Sequence, residues 1–201
     1  MKREPNEQEL LEILVRNSVC RGNFTLASGA QSDLYIDARL TTLDSRGARF
    51  IGQVGWKLIK KNIKPGGKID AVGGLTMGAD PIALSIALAA LSDTPSIPLQ
   101  AFVVRKSVKA HGRQKLIEGN FQKGHLVVVI DDVITTGGST LQAIEAVKNA
   151  GGRVAFVLVL VDREEGGREA IEKHGHKVVA LFTRTELIGA SAGSPSRSAV
   201  V

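Results

Sequence analysis

Apolar residues along this 201-residue chain switch repeatedly between helical and strand-like spacing. Leu10, Leu11, Leu14, Val15 and Ser18 or Val19 recur at helical intervals and predict an amphipathic first helix over Gln8 to Cys20. Phe24 to Leu26 and Leu34 to Asp37, joined through a Ser-Gly turn, read as a hairpin. Phe50, Ile51, Val54, Leu58 and Ile59 give Ser45 to Lys61 a broad apolar surface, with Trp56 expected in the core or a dimer interface, and a Lys-Pro-Gly-Gly turn at 64–67 ends this second helix. Ile69 to Val72 is then a short strand, followed by a glycine-rich turn and an alanine-rich helix from Ile82 to Leu91. Leu99 to Val104 is the next strand. Leu126 to Ile130 is continuous and largely β-branched rather than alternating, which marks a strand buried on both faces. A helical pattern resumes near Leu141 and runs to Ala150, and Val154 to Val161 is again strand-like. A surface helix from Glu164 to Gly175, a strand from Val178 to Phe182 and a short helical end at Thr185 to Ile188 complete the series. This alternation predicts an α/β fold with a mainly parallel central sheet flanked by helices. One domain spans 1–188, a small hood at about 1–40 and a core at about 45–188, and the Ser-, Ala- and Gly-rich tail at 189–201 is expected to be disordered.

Two strand-to-helix junctions carry chemistry. In the stretch Val127 to Thr140, Asp131 and Asp132 close a strand, and Val133 and Ile134 lead into a Thr135-Thr136-Gly137-Gly138-Ser139 turn before a helix. Ligands of open α/β sheets bind where loops leave the carboxyl ends of strands. Small residues let backbone N–H groups and the hydroxyls of Thr135, Thr136, Ser139 and Thr140 converge on an anion, favoured by the helix dipole. Paired carboxylates beside such a turn suit a ligand with hydroxyl donors or a metal next to its phosphate, as a ribose 5-phosphate has. A plain βα turn with capping hydroxyls is the bland alternative. Neither a G-x-x-x-x-G-K-[ST] nor a G-x-G-x-x-G string occurs. The second junction, Gly73 to Pro81, places Asp80 as a helix cap and Pro81 in the first helical turn, leaving the backbone amides around Met77 and Gly78 to face an anion.

Composition narrows the picture. Hydrophobic residues at 43% support a globular core, and no apolar run is long enough to cross a membrane. The charged start of the chain, without a signal-peptide core, predicts a cytoplasmic protein. Cys20, the single cysteine, is read as a buried spacer and excludes an intrachain disulfide. A net charge of +6 and a pI near 9.6 invite a nucleic-acid partner. Aromatic residues at 4% are too few for a stacking surface, however, and no nucleic-acid motif appears, so none is expected. The positive charge gathers in Arg105, Lys106, Lys109, His111, Arg113 and Lys115, which a small polyanionic substrate explains as well. Arg163, at a strand's end, is a planar guanidinium suited to pairing with a carboxylate.

The 127–140 stretch resembles the phosphoribosyl-pyrophosphate (PRPP) signature of the type I phosphoribosyltransferases. F-T-L-x-S-G-x-x-S-x-x-Y-x-D, the wording GGLTMGADPIA and the basic R-K-x-x-K-x-H-G string are similar to the orotate phosphoribosyltransferases of that family. The resemblance implies transfer of the phosphoribosyl group from PRPP to orotate, giving orotidine 5′-monophosphate and pyrophosphate. It implies Asp131 and Asp132 on the ribose hydroxyls, near a Mg²⁺ held mainly through PRPP and water, with no direct protein ligand set. Val133 to Ser139 would cradle the 5-phosphate, and Met77 and Gly78 would meet the pyrophosphate. Arg105, Lys106, Lys109 and His111 would do so too, Lys109 and His111 from a neighbouring subunit, so a homodimer follows. Thr135, Arg163, Tyr35 and Ile36 would meet orotate. A lysine common in the family is replaced by Ala27 and another by Gly78. A purine phosphoribosyltransferase and a PRPP-sensing RNA-binding regulator share parts of this pattern.

Overall fold

A computed structural model describes residues 3–25, 31–96, 98–107 and 116–191. Helix α1 (Pro5–Ser18) buries Leu10, Leu11, Leu14 and Val15 and passes directly into strand β1 (Val19–Thr25). The expected helix thus ends two residues early, because β-branched Val19 is extended and opens a strand against β2 (Gln31–Ile36). The antiparallel hood pairs Val19 with Ile36, and Arg21 ties it to the far end of the chain through Ile188 O and Ser191 Oγ. Cys20 is only half buried, since it lies on this thin hairpin rather than in the core.

A single turn of helix, α2 (Arg39–Thr42), precedes α3 (Ser45–Asn62), whose cap Asp44 accepts from the Gly47 N–H. Strand β3 spans Ala71–Leu75, later than the apolar spacing suggests, because Gly73 and Gly74 belong to the strand and not to the turn. A Cβ at Gly73 would lie 2.1 Å from Phe102 O, and one at Gly74 would lie 1.9 Å from Ile130 O. These glycines serve close approach of neighbouring strands. Helix α4 (Ala79–Asp93) begins three residues before Ile82, so its cap is Gly78, and Asp80 sits in the first turn accepting from Thr76 Oγ1. Strands β4 (Gln100–Val104), β5 (Ile117–Gly119) and β6 (Leu126–Ile134) follow, then α5 (Gly138–Asn149), β7 (Arg153–Asp162), α6 (Gly167–Lys173), β8 (Val178–Thr183) and α7 (Arg184–Ser191). Helix α7 continues past Gly189, the expected start of the tail, and 192–201 lie outside the described residues.

The main sheet has the order β5-β4-β3-β6-β7-β8, parallel throughout except for β5 at one edge. Both faces of β6 are covered, as its unbroken apolar run requires. Val128 and Ile130 enter a core with α1, α3 and α4, while Val127 and Val129 face Ala143, Ile144 and Val147 of α5. Chain order reverses between β3 and β6, which is where an open sheet forms its ligand crevice. No helix among the described residues is long and apolar enough to cross a membrane.

Replacing Gly74 by alanine should cost about 3 kcal/mol or more in urea unfolding, because the added methyl meets a strand carbonyl that cannot retreat. Gly189→Ala, which adds a methyl into open space, should leave the unfolding midpoint nearly unchanged.

Candidate active site

The carboxyl ends of β3, β6 and β7 converge at the reversal point. The aspartates lie within β6 and not after it, for β6 pairs with β7 as far as Ile134 opposite Asp162. Asp131 is buried, 7% exposed, and accepts from Thr140 Oγ1 at 2.5 Å and from the Asp132 N–H at 3.0 Å. Burial pushes its carboxyl up to about 7, with the neighbouring Asp132 charge adding to the effect and Thr140 opposing it. Thr140 therefore faces the sheet instead of the anion turn, since its place in the first turn of α5 buries it to 1% exposure. Asp132 is half buried, and its Oδ1 accepts from the Val133 N–H at 2.9 Å.

Beyond the aspartates a cavity of about 200 Å³ is lined by Asp131, Val133, Ile134, Thr135, Thr136, Gly137, Gly138 and Ser139. The chain turns here through Gly137, whose φ of 81° is the left-handed conformation that glycine adopts without strain, and α5 begins at once. The Leu141 N–H is already spent on Gly137 O, so the free donors are those of the turn and of the helix's first residues. The side chain of Ile134 is buried in the core, and its contribution to the cavity is through its backbone. The turn at 76–78, whose Thr76–Met77 peptide is cis, lies against Asp132. Met77 is exposed, and a Cβ at Gly78 would stand 2.4 Å from Asp132 Oδ1. The two predicted anion turns thus meet at Asp132, and any side chain at position 78 would press on its carboxylate.

Arg163 follows β7 and is held to β6 by a 3.1 Å bond from its N–H to Ile134 O. Its buried guanidinium pairs with Glu165. Arg105 stands at the carboxyl end of β4, and its N–H donates to Leu116 O at 2.8 Å, joining the two described ends of the basic stretch. Lys106 is exposed, and its carbonyl accepts from Gln142 of α5, so this stretch starts beside the signature helix. Lys109 and His111 lie outside the described residues, as does Ala27. In the hood, alternation along β2 separates the predicted base contacts. Tyr35 is 41% exposed against the Phe24 ring, whereas Ile36 turns into the core.

Three features escaped sequence reading. Asp37 and Arg39 form a two-pronged pair, with contacts of 2.8 and 2.9 Å, that holds the Asp37 carboxyl below its usual range. Arg39 is also within electrostatic reach of Tyr35 and Asp132. Its signal was D-x-R directly after a strand. Glu165 on Arg163 and Thr140 on Asp131 had no local signature, as both depend on how loops and helices fold back. A larger open groove of about 890 Å³ lies elsewhere, between α3 and α4, lined by Arg49, Trp56, Lys57, Lys60 and Asp93 among others. Its lining residues all lie on helices α1, α3 and α4, away from the strand ends. Trp56 is tied there to Asp93 through its indole N–H at 2.9 Å.

A sheet with this order and this pair of anion turns defines a class, and comparison with known proteins agrees. The family described as "Phosphoribosyl transferase domain" matches residues 49–187. The chain belongs to the phosphoribosyltransferase family. It is 44% identical over 183 residues to the orotate phosphoribosyltransferase of Mycobacterium tuberculosis, covering 91% of this chain and 97% of that protein. It is 46% identical over 165 residues to that of Aquifex aeolicus, covering 82% and 86%. Among solved structures, the M. tuberculosis enzyme in complex with PRPP superposes with a TM-score of 0.74 at 38% identity, over 91% of this chain and 99% of that one.

The elevated Asp131 carboxyl makes a prediction about stability. The folded chain holds that proton up to about pH 7, whereas the unfolded chain releases it near the ordinary 3.8. Stability should therefore fall as pH rises from about 4 to about 7 and level off above, the whole effect being a few kcal/mol. Asp131→Asn removes the titration. Urea unfolding should find the variant more stable than the wild type at pH 8 and the gap nearly closed at pH 4.

Proposed function

We infer that the chain is an orotate phosphoribosyltransferase, transferring the 5-phosphoribosyl group of PRPP to orotate and releasing pyrophosphate. The observation that carries this reading is the phosphate-sized cavity lined by Asp131 and Val133 to Ser139, with the 76–78 turn lying against the neighbouring Asp132 and the Arg163 N–H bonded to Ile134 O. The names of the relatives support it.

In this reading the 135–139 turn fixes the 5-phosphate through backbone amides and the hydroxyls of Thr135, Thr136 and Ser139. Asp132 and Asp131 receive the ribose hydroxyls. With its carboxyl pushed up to about 7 by burial, Asp131 repels the arriving polyanion less than an ordinary carboxylate does, and the Asp132 side chain beside it favours the positive charge that develops at the anomeric carbon. Met77 and Gly78 present the turn to the pyrophosphate, together with Arg105, Lys106, Lys109 and His111. The Arg163 guanidinium pairs with the orotate carboxylate, and Tyr35 and Thr135 border the ring, with Ile36 behind them in the core. Among the described residues no group of three or more His, Cys, Asp or Glu could hold a metal ion. A Mg²⁺ held mainly through PRPP oxygens and water would fit beside the half-exposed Asp132, next to the anion cradle. Bound there, Mg²⁺ supplies neutralisation of the pyrophosphate charge.

The same reading includes a cytoplasmic homodimer. Leu84, Leu88 and Leu91 recur on one face of α4 and are 55%, 57% and 44% exposed, an apolar stripe that a second copy would cover. Leu88→Glu should shift the protein towards monomer in sedimentation and lower its turnover.

Mixing the protein with Mg²⁺, PRPP and orotate tests the assignment through the loss of orotate's ultraviolet absorbance, with uracil and hypoxanthine in parallel. Turnover that depends on orotate is expected, and turnover on hypoxanthine alone would overturn the choice of base. Lys109→Ala should lower turnover about a hundredfold without unfolding the protein, as a donor aimed at developing charge is worth a few kcal/mol. Near-normal rates in a dimer built wholly of that variant would remove Lys109 from the mechanism.

A further inference from the structure

The loop after β7 presents a carboxylate that the mechanism above leaves idle. Arg163 has 7% of its side chain exposed; its Nε donates to Glu165 Oε1 at 2.9 Å, and its Nη2 stands 2.8 Å from the same oxygen in an ion pair. That edge of a guanidinium is one on which a carboxylate pairs side by side. An oxygen of Glu165 therefore occupies ground that a ligand carboxylate needs.

The backbone around it is fixed. Glu164 has a left-handed φ of 57°, its N–H donates to Asp162 Oδ1 at 2.9 Å, and its Oε2 accepts from the N–H and the hydroxyl of Thr185 at 2.9 and 2.6 Å. Arg168 clamps the other side, donating to Asp162 Oδ2 at 2.7 Å and to Val178 O at 2.9 Å. Glu165 has no such anchor. Its side chain is 34% exposed, and among the described residues its carboxylate is bonded to Arg163. The loop cannot easily shift, but this one side chain can swing to solvent.

We propose that Glu165 is a stand-in carboxylate: it holds and orients the Arg163 guanidinium in the free enzyme, and the carboxylate of the incoming base displaces it. Glu165 thereby sets how strongly the site selects a carboxylated base. A base without that group offers nothing in exchange for the Arg163–Glu165 pair. A carboxylated base exchanges one ion pair for another. The inference rests on the reading of Arg163 as the orotate-carboxylate partner.

Steady-state kinetics of the full-length enzyme tests it with Glu165→Gln, which keeps the size and removes the charge, and with Glu165→Ala. Both should lower the KM for orotate, about fivefold for an ion pair that is partly exposed. The KM for PRPP, whose 5-phosphate this reading seats in the 135–139 turn and not on the Arg163 guanidinium, should move by less than about twofold. An orotate KM that stays the same or rises in both variants overturns the displacement and leaves Glu165 as an orienting residue. Failure of the underlying reading looks different: the wild type would show no orotate-dependent turnover, or Arg163→Ala would keep the wild-type KM for orotate.

Discussion

The site depends on how closely β3 can lie against its two neighbours. With Gly73 under Phe102 O and Gly74 under Ile130 O, no side chain holds the strands apart at the crevice end of the sheet. The 76–78 turn is thereby delivered onto Asp132, and Thr76 is locked to Val104 O at 2.8 Å. A second backbone contact does the same on the other side, where a Cβ at Gly167 would stand 2.6 Å from Thr135 O. Two anion turns and a buried guanidinium converge because main chains, not side chains, meet between them.

Charge is then distributed by burial. Asp131, sealed under Thr140, holds its proton towards neutral pH, while Asp132 stays half exposed beside the turn. Arg163 is buried but paired, so its desolvation is offset in the absence of ligand. Arg39 adds a cation near Tyr35 and Asp132, itself held by Asp37. In the proposed reading, a ligand with a phosphate, two ribose hydroxyls and a carboxylated ring would meet a complementary group for each part.

Much of this was legible in the chain. The unbroken run from Leu126 to Ile130 could only be a strand covered on both sides, and the paired aspartates with the Thr-Thr-Gly-Gly-Ser turn marked the crevice. Glycine misled at β3, where a residue that usually signals a turn serves close packing within a strand. Strand β5 went unseen because Ile117 is its one apolar residue and antiparallel pairing at the sheet edge holds it. Thr140 was read as an anion donor because spacing shows which turn a hydroxyl occupies but not which way the helix is rotated. Glu165 was invisible for a related reason, as its partner is reached by a fold of the loop and not by periodicity.

A crystal structure with PRPP and Mg²⁺ bound tests the central claim most directly. The account places the 5-phosphate in the turn from Thr135 to Ser139, the ribose hydroxyls on Asp131 and Asp132, and the pyrophosphate towards Met77 and Gly78. Finding the pyrophosphate in the 135–139 turn, or PRPP seated in the groove between α3 and α4, would contradict it.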